Sequence, residues 1–357
     1  MDEFEKRVFQ TIKENSLVEN GDKIVAGVSG GPDSIAMLNV LYQIKSENKI
    51  DFEIYVAHIN HGIRENAIID EKFVEEFCKE RNIEFFVLHS KVVDLAKQEK
   101  KGIEEIGREV RYSFFDEILE KTNSNKIAIA HNKKDNVETV IMNLLRGSGI
   151  SGLCGIDLKQ GKYIRPILQE NREDIERYLQ EKNIVPRIDE SNFENEYTRN
   201  KIRNIVLPYI EKEFNPNIIE TITRLSSIVK EENQYLEKET AILYNQVVLE
   251  EKNLWYENAS LKNNKDEFLE KNEYNKNILP TIILDLKKFN CLDKTMEKRI
   301  ILYSIKKIFG STKGIEKIHI EDIIKLCNNN IGNKFLTPNK KTKIVIKNKK
   351  IYIFAIE

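Results

Sequence analysis

The segment GVSGGPDSIAML at 27–38 constrains the fold more tightly than any other, because the apolar run KIVAGV at 23–28 leads into it and a helical pattern leaves it. Gly30 and Gly31 lack a Cβ, so the backbone there can turn sharply and come close to a ligand. Pro32 suits the first turn of a helix, where its missing N–H has no intrahelical partner to lose. Free N–H groups and the positive end of that helix would then face an anion. Ser29 and Ser34 add hydroxyl donors, and Asp33 offers a carboxylate suited to Mg²⁺. No Lys-Ser/Thr follows the last glycine, as a Walker loop requires, and the dinucleotide pattern G-x-G-x-x-G does not occur here. An ordinary strand-to-helix turn is the bland alternative.

The surrounding pattern fits a loop of this kind. Short apolar runs at 23–28, 53–58, 83–88 and 126–130 are rich in β-branched and aromatic residues, as strands covered on both faces are. Helical patterns at 35–46, 67–81, 104–121 and 136–145 fall between and after them. The alternation predicts an α/β fold: a Rossmann-like parallel sheet with helices on both faces, whose ligands bind beyond the carboxyl ends of the strands. After about Pro208 the character changes. A long helix is expected over 217–250, then polar Asn- and Lys-rich stretches, helices at 295–308 and 319–328, and a hairpin of 343–346 with 351–354 turning at Asn348. The expected division is therefore a catalytic domain at 1–210 and, at 211–357, a helical linker with a smaller, mainly helical domain ending in a β-hairpin.

Composition narrows the setting. The charged start MDEFEKRVFQ holds no apolar h-region, and no apolar run approaches the roughly 20 residues of a membrane span, so a cytoplasmic protein is expected. Cys78, Cys154, Cys291 and Cys327 are far apart and form no C-x-x-C pair, which argues against zinc, redox and disulfide roles. With 57 basic and 58 acidic residues, the balance gives no global sign of a nucleic-acid partner. A local one remains open. Residues 333–350 hold Lys334, Lys340, Lys341, Lys343, Lys347, Lys349 and Lys350 without an acid, which suits either phosphate contact or a solvated edge strand.

Four further blocks carry candidate chemistry. HINHGIR supplies His58 and His61, and GIEEIGREVRY places Glu105, Arg108 and Arg111 on one helix face. AHNKKDNVET supplies His131, Asp135, Glu138 and Thr139. PRIDESNFENEYTRNKIRN supplies Asp189, Glu190, Ser191, Asn192, Tyr197, Arg199, Asn200 and Arg203. Bland readings exist for each. Arg108 and Arg111 could pair with Glu104 or Glu105, His131 could be a core histidine, and Asp135 could cap the following helix.

The SGGPDS loop resembles that of the pyrophosphate-releasing, N-type ATP pyrophosphatases (the PP-loop superfamily), and the four blocks in this order resemble its tRNA(Ile)-lysidine synthase family over about residues 20–210. That family often reads His-His-x-Asp-Asp-Gln-x-Glu-Thr where this chain has HNKKDNVET, so Asn132, Lys134 and Asn136 depart from it while His131, Asp135, Glu138 and Thr139 stay in place. Many relatives also carry a further C-terminal domain, for which 357 residues are expected to leave no room.

The resemblance implies ATP-dependent joining of free L-lysine to C2 of the wobble cytidine in an isoleucine tRNA with a CAU anticodon, by way of an adenylated base. It implies ATP contacts from Ser29, Gly30, Gly31, Pro32, Asp33, Ser34, His58 and His61, with Mg²⁺ on Asp33. Arg108 or Arg111 would help neutralise charge around the triphosphate, His131 would position the α-phosphate or the base, and Asp135 and Glu138 would hold the lysine ammonium. Arg199, Asn200 and Arg203 would contact tRNA, and a homodimer is left open. Among rivals, a tRNA thiolase should bring a cysteine pair, and an amide synthetase a glutaminase domain or an ammonia site. A non-catalytic binding module would not need Asp33, Asp135 and Glu138 together.

Overall fold

The computed structural model describes residues 1–60, 62, 67–187, 198–255, 278–329 and 334–356, in two compact units, Met1–Glu231 and Glu232–Glu357. The first unit opens with α1 (Glu3–Glu14), started by a reciprocal capping box between Asp2 and Glu5. Then follow β1 (Asp22–Gly27), α2 (Pro32–Ser46), β2 (Phe52–Asn60), α3 (Ala67–Glu80) and β3 (Glu84–His89). After α4 (Val92–Glu99) and α5 (Ile103–Lys121) come β4 (Lys126–Ile129), α6 (Lys133–Leu145) and α7 (Ile150–Leu153). The short β5 (Lys159–Gln160) and β6 (Tyr163–Ile164) precede α8 (Arg172–Glu181). A last helical stretch runs through α9 (Thr198–Lys201), a π-helical turn at Ile202–Val206, and α10 (Leu207–Glu213) into α11 (Ile218–Val247), within which the units divide.

The first sheet has the order β3-β2-β1-β4-β6-β5, parallel except for the β5–β6 edge. Its central strand explains why the sequence reads as an unbroken apolar run. Ile24, Ala26 and Val28 pack into one core with Ile35, Leu38 and Leu41, while Val25 packs into the opposite one with Phe114, Phe115 and Ile118. Both faces are covered, so no polar alternation survives. A Cβ on Gly27 would meet the Phe115 ring at 2.4 Å, so α5 can approach the end of β1 only because that residue is glycine.

The second unit is more β-rich than the sequence suggests. β7 (Val248–Trp255), β8 (Ile278–Asp285), β9 (Lys334–Asn339), β10 (Thr342–Lys347) and β11 (Lys350–Ala355) form an antiparallel sheet of order β7-β8-β11-β10-β9. The intervening helices are α12 (Leu286–Phe289), α13 (Lys294–Phe309) and α14 (Lys317–Asn328). Ile282, Leu284, Ile344 and Ile353 from the sheet share a core with Phe289 and Ile301 from the helices. The expected terminal hairpin is present, with Asn348 and Lys349 at φ 51° and 60° as a two-residue primed turn requires. Of the other three strands, β7 and β8 are hidden in the sequence for physical reasons. Val248 begins a strand paired with Leu284, so the apolar run past Val247 does not continue the helix. Pro280 argues against an inner strand, yet β11 pairs only with Thr281–Asp285 and leaves the proline beyond its reach.

Candidate active site

The carboxyl ends of β1, β4 and β6 carry the residues of interest, which is where a parallel sheet of this type presents a ligand crevice. Gly30 has φ +90°, a region that L side chains rarely adopt, and its carbonyl accepts from the Arg187 N–H at 3.0 Å. Gly31 is the N-cap of α2 and offers no side-chain cap, so the first N–H groups of that helix are left for a ligand. Ser34 Oγ donates to the Gly31 carbonyl at 2.9 Å and accepts from Ser29 N–H at 3.2 Å, which holds the turn open. Ser29 is exposed and Ser34 buried. Pro32 occupies the first helical position, as its fixed φ favours.

Asp33, on the first turn of α2, accepts from Arg172 Nη1 at 2.8 Å through Oδ2. Its Oδ1 is buried and makes no hydrogen bond, although the Asn132 side chain stands close by. Burial pushes this carboxyl above its ordinary range and nearby Asp135 adds to the rise, while Arg172 works against both. An orphaned carboxylate oxygen beside a phosphate-shaped loop fits Mg²⁺, which uses one or two carboxylates and takes its remaining ligands from phosphate and water. Among the described residues no cluster of three or more His, Cys, Asp or Glu could hold a metal without a substrate. The fit is to an ion that arrives with a nucleotide.

Asp135 and Glu138 lie on α6, and the helix starts differently from the sequence expectation. The N-cap is Asn132, whose side chain accepts from Asp135 N–H at 3.0 Å while Asp135 Oδ2 accepts from Asn132 N–H at 3.0 Å. Asp135 is thus the returning half of a capping box and not the cap. Its other oxygen accepts from Arg199 Nη2 at 3.0 Å and Arg203 Nη2 at 2.8 Å. The Glu138 side chain is fully buried and accepts from Arg199 Nε at 2.9 Å and Arg203 Nε at 2.6 Å. Two carboxylates and two guanidinium groups form one balanced cluster. Arg199 and Arg203, expected to contact tRNA, are here the partners of the expected lysine ligands; Asn200 sits beside them on α9, half-buried.

His131 follows β4 and its Nδ1 accepts from Arg165 Nε at 3.2 Å. Burial, together with Arg165, Arg199 and Arg111, outweighs Asp135 and brings the imidazole down to about 4. It is therefore neutral at pH 7. Arg108 stacks over Tyr112, with 5.3 Å to the ring centroid. Neither Arg108 nor Arg111 has a carboxylate within 4.0 Å among the described residues, so the pairing with Glu104 or Glu105 does not occur. Burial lowers the Arg111 pKa, and Arg108 and Arg199 add to that against the opposing pull of Tyr112 and Glu104. His58 is buried beneath the loop, where Nδ1 donates to the Val28 carbonyl at 2.8 Å and burial holds the ring below its usual pKa. It braces β2 against the base of the loop. His61, and residues 189–192 and 197 of the last block, lie outside the described residues.

Residues 1–210 match the model of the ATP-binding PP-loop domain family. A tRNA(Ile)-lysidine synthase of Clostridioides difficile (strain 630) is 40% identical over 360 residues, covering 98% of this chain and 72% of the relative. The chain belongs to the tRNA(Ile)-lysidine synthase family. Family relatives from Clostridium tetani (strain Massachusetts / E88) and Caldanaerobacter subterraneus subsp. tengcongensis are each 38% identical, over 98% and 93% of this chain. The chain spans 69% and 65% of their respective lengths. Among solved structures, the U34-tRNA thiolase NcsA from Methanococcus maripaludis, described with its 4Fe-4S cluster, aligns with a TM-score of 0.52 at 19% identity. That alignment covers 64% of this chain and 78% of the thiolase, and it shows a shared fold alone.

For this member of the tRNA(Ile)-lysidine synthase family, two of the three departures from the usual motif have local roles. Asn132 caps α6, and Asn136 Oδ1 accepts from Ile156 N–H at 2.6 Å. Three site arginines escaped the sequence reading: Arg165, Arg172 and Arg187. Each reaches its partner across a long stretch of chain, 34 residues to His131, 139 to Asp33 and 117 to Asp70, and no local spacing signals such a contact.

Proposed function

We propose that the chain is a cytoplasmic tRNA(Ile)-lysidine synthase that adenylates C2 of the wobble cytidine in a CAU-anticodon tRNA and joins lysine there. The observation that carries this reading is the joint placement, at one sheet edge, of an open PP-loop and the acidic pair of α6. The cytidine C2 oxygen attacks the ATP α-phosphate and pyrophosphate departs; the lysine ε-amine then attacks C2 and expels AMP. The loop N–H groups, Ser29 and Ser34 would hold the departing pyrophosphate. Mg²⁺ on Asp33 would neutralise charge on the triphosphate. Arg111 and Arg108, which lack carboxylate partners among the described residues, would meet the negative charge that grows in the first step. Asp135 and Glu138 would take the lysine ammonium.

The balanced cluster adds an order to these events. A lysine ammonium placed on Asp135 and Glu138 while Arg199 and Arg203 stay there would leave the site with an uncompensated positive charge. Triphosphate would draw the arginines toward itself and release the carboxylates, so nucleotide binding precedes tight lysine binding. The test is incubation with ATP, lysine and tRNA(Ile) carrying CAU, followed by digestion and mass spectrometry of the nucleosides. The reading requires a lysine adduct at the wobble cytidine; an unmodified cytidine under these conditions would sink it.

A further inference from the structure

β4 and β6 are parallel neighbours, with Ile127 beside Tyr163 and Ala128 beside Ile164. The next residues along both strands emerge at the same carboxyl edge, which puts Arg165 beside His131. Arg165 Nε donates to His131 Nδ1 at 3.2 Å, and Nη1 donates to the Asp157 carbonyl at 2.6 Å. The Arg165 backbone is itself tied, N–H to the Leu158 carbonyl at 2.9 Å, and the residue is only 5% exposed. A guanidinium has five donors and no acceptor, so an Nδ1 that meets it must carry a lone pair. We propose that Arg165 is a positioning residue that holds His131 as the neutral tautomer with its proton on Nε2, making the ring a hydrogen-bond donor and not a base.

Two features separate this arrangement from an ordinary surface contact. Among the described residues no carboxylate lies within 4.0 Å of Arg165, so this buried guanidinium is not serving an ion pair. His131 Nε2 has no hydrogen-bond partner among the described residues, which leaves its proton available. The charged groups facing the ring are Arg165, Arg199, Arg111 and Asp135, and the three cations oppose an imidazolium. A neutral N–H donor can stabilise negative charge growing on a phosphoryl or cytidine oxygen without moving a proton. With Nδ1 engaged and Nε2 protonated, His131 cannot take the proton from the lysine ammonium. What the donor meets rests on the adenylation reading above; the tautomer does not.

Ring nitrogen shifts in ¹⁵N-labelled full-length protein test the proposal without any substrate. The chain has five histidines, and His131→Gln assigns the signal by its loss. At pH 7 the His131 ring should show an unprotonated Nδ1 and a protonated Nε2, and it should not titrate until well below pH 6. Arg165→Met should mix the tautomers and move the titration toward 6.5, whereas Arg165→Lys, which keeps a cationic donor, should restore the wild-type pattern. A protonated Nδ1 in the wild type, or a titration near 6.5, overturns the assignment even if the variants fail to fold. So does an Arg165→Met spectrum that matches the wild type. A wild-type tautomer as described, in a protein that forms no lysidine, would instead overturn the functional reading alone.

Discussion

Arg172 Nη1 and Asp33 Oδ2 meet at 2.8 Å, tying the start of α8 to the first turn behind the PP-loop. The contact restrains a carboxyl that burial pushes upward, and it leaves Oδ1 without a partner. Arg172→Ala removes the charge that, with a smaller contribution from the Asn132 side chain, opposes both burial and Asp135. The Asp33 pKa should then climb further, more of the group should be protonated at a given pH, and the acid limb of the activity profile should move to higher pH. Loss of a group that orients a metal-binding carboxylate costs roughly 10- to 100-fold in activity. Pyrophosphate release measured across pH at saturating ATP checks both; an unmoved acid limb counts against the assignment.

Gly30→Ala should damage the loop in two ways. A side chain at φ +90° costs about 1–3 kcal/mol, and the new Cβ would sit 3.4 Å from Val74 Cγ2. At roughly 2–4 °C per kcal/mol for a protein of this size, a thermal melt should fall by several degrees. The KM for ATP should rise in parallel. A melt within one degree of wild type would show that the loop does not hold this conformation.

The cluster of Asp135, Glu138, Arg199 and Arg203 predicts coupling between nucleotide and lysine. Calorimetric titration of lysine should give an affinity about 5- to 150-fold higher with a non-hydrolysable ATP analogue present, the usual range for linked sites. Arg203→Ala should strengthen lysine binding in the absence of nucleotide. It should also lower stability by up to about 3 kcal/mol, since Glu138 remains buried with Arg199 alone. Equal lysine affinity with and without the analogue would contradict the proposed order.

Acid should weaken the first unit through its buried histidines. The His131 pKa falls from 6.5 to about 4 and His58 is lowered in the same direction, so between those values the unfolded chain binds more protons than the folded one. Their contribution is complete above pH 6.5 and is lost as pH falls toward 4. Denaturant melts at pH 7, 6 and 5 should show this decline, and His131→Gln should flatten part of it.

Native-state alkylation offers a check on the second unit as well as the first. Cys78 and Cys327 are buried thiols raised to about 12, whereas Cys291 is exposed. Peptide mapping should find Cys291 modified first and the buried pair protected until unfolding.

The sequence makes the nucleotide half of this molecule easy to read. In β1 both faces are covered, so its apolar run is continuous, and SGGPDS uses residues that few other turns need. The acidic pair of α6 was legible too, because three-residue spacing on a helix fixes a shared face. What Arg199 and Arg203 touch was not. Their polar surroundings in the sequence suggest phosphate or tRNA contact, but α9 and the π-helical turn at Ile202–Val206 bring them onto carboxylates more than sixty residues away. Strands β7 and β8 were missed where Pro280 and polar flanks masked a pairing set by the rest of the sheet.

The central claim is that this site spends ATP at the α-phosphate to join lysine to tRNA. Multiple-turnover pyrophosphate release with ATP and tRNA(Ile) carrying CAU, measured with each amino acid in turn, tests it most directly. Sustained release should require both the tRNA and lysine, and no other amino acid should replace lysine. Release that continues unchanged without lysine, or that ammonia or another amino acid supports equally, would contradict the account.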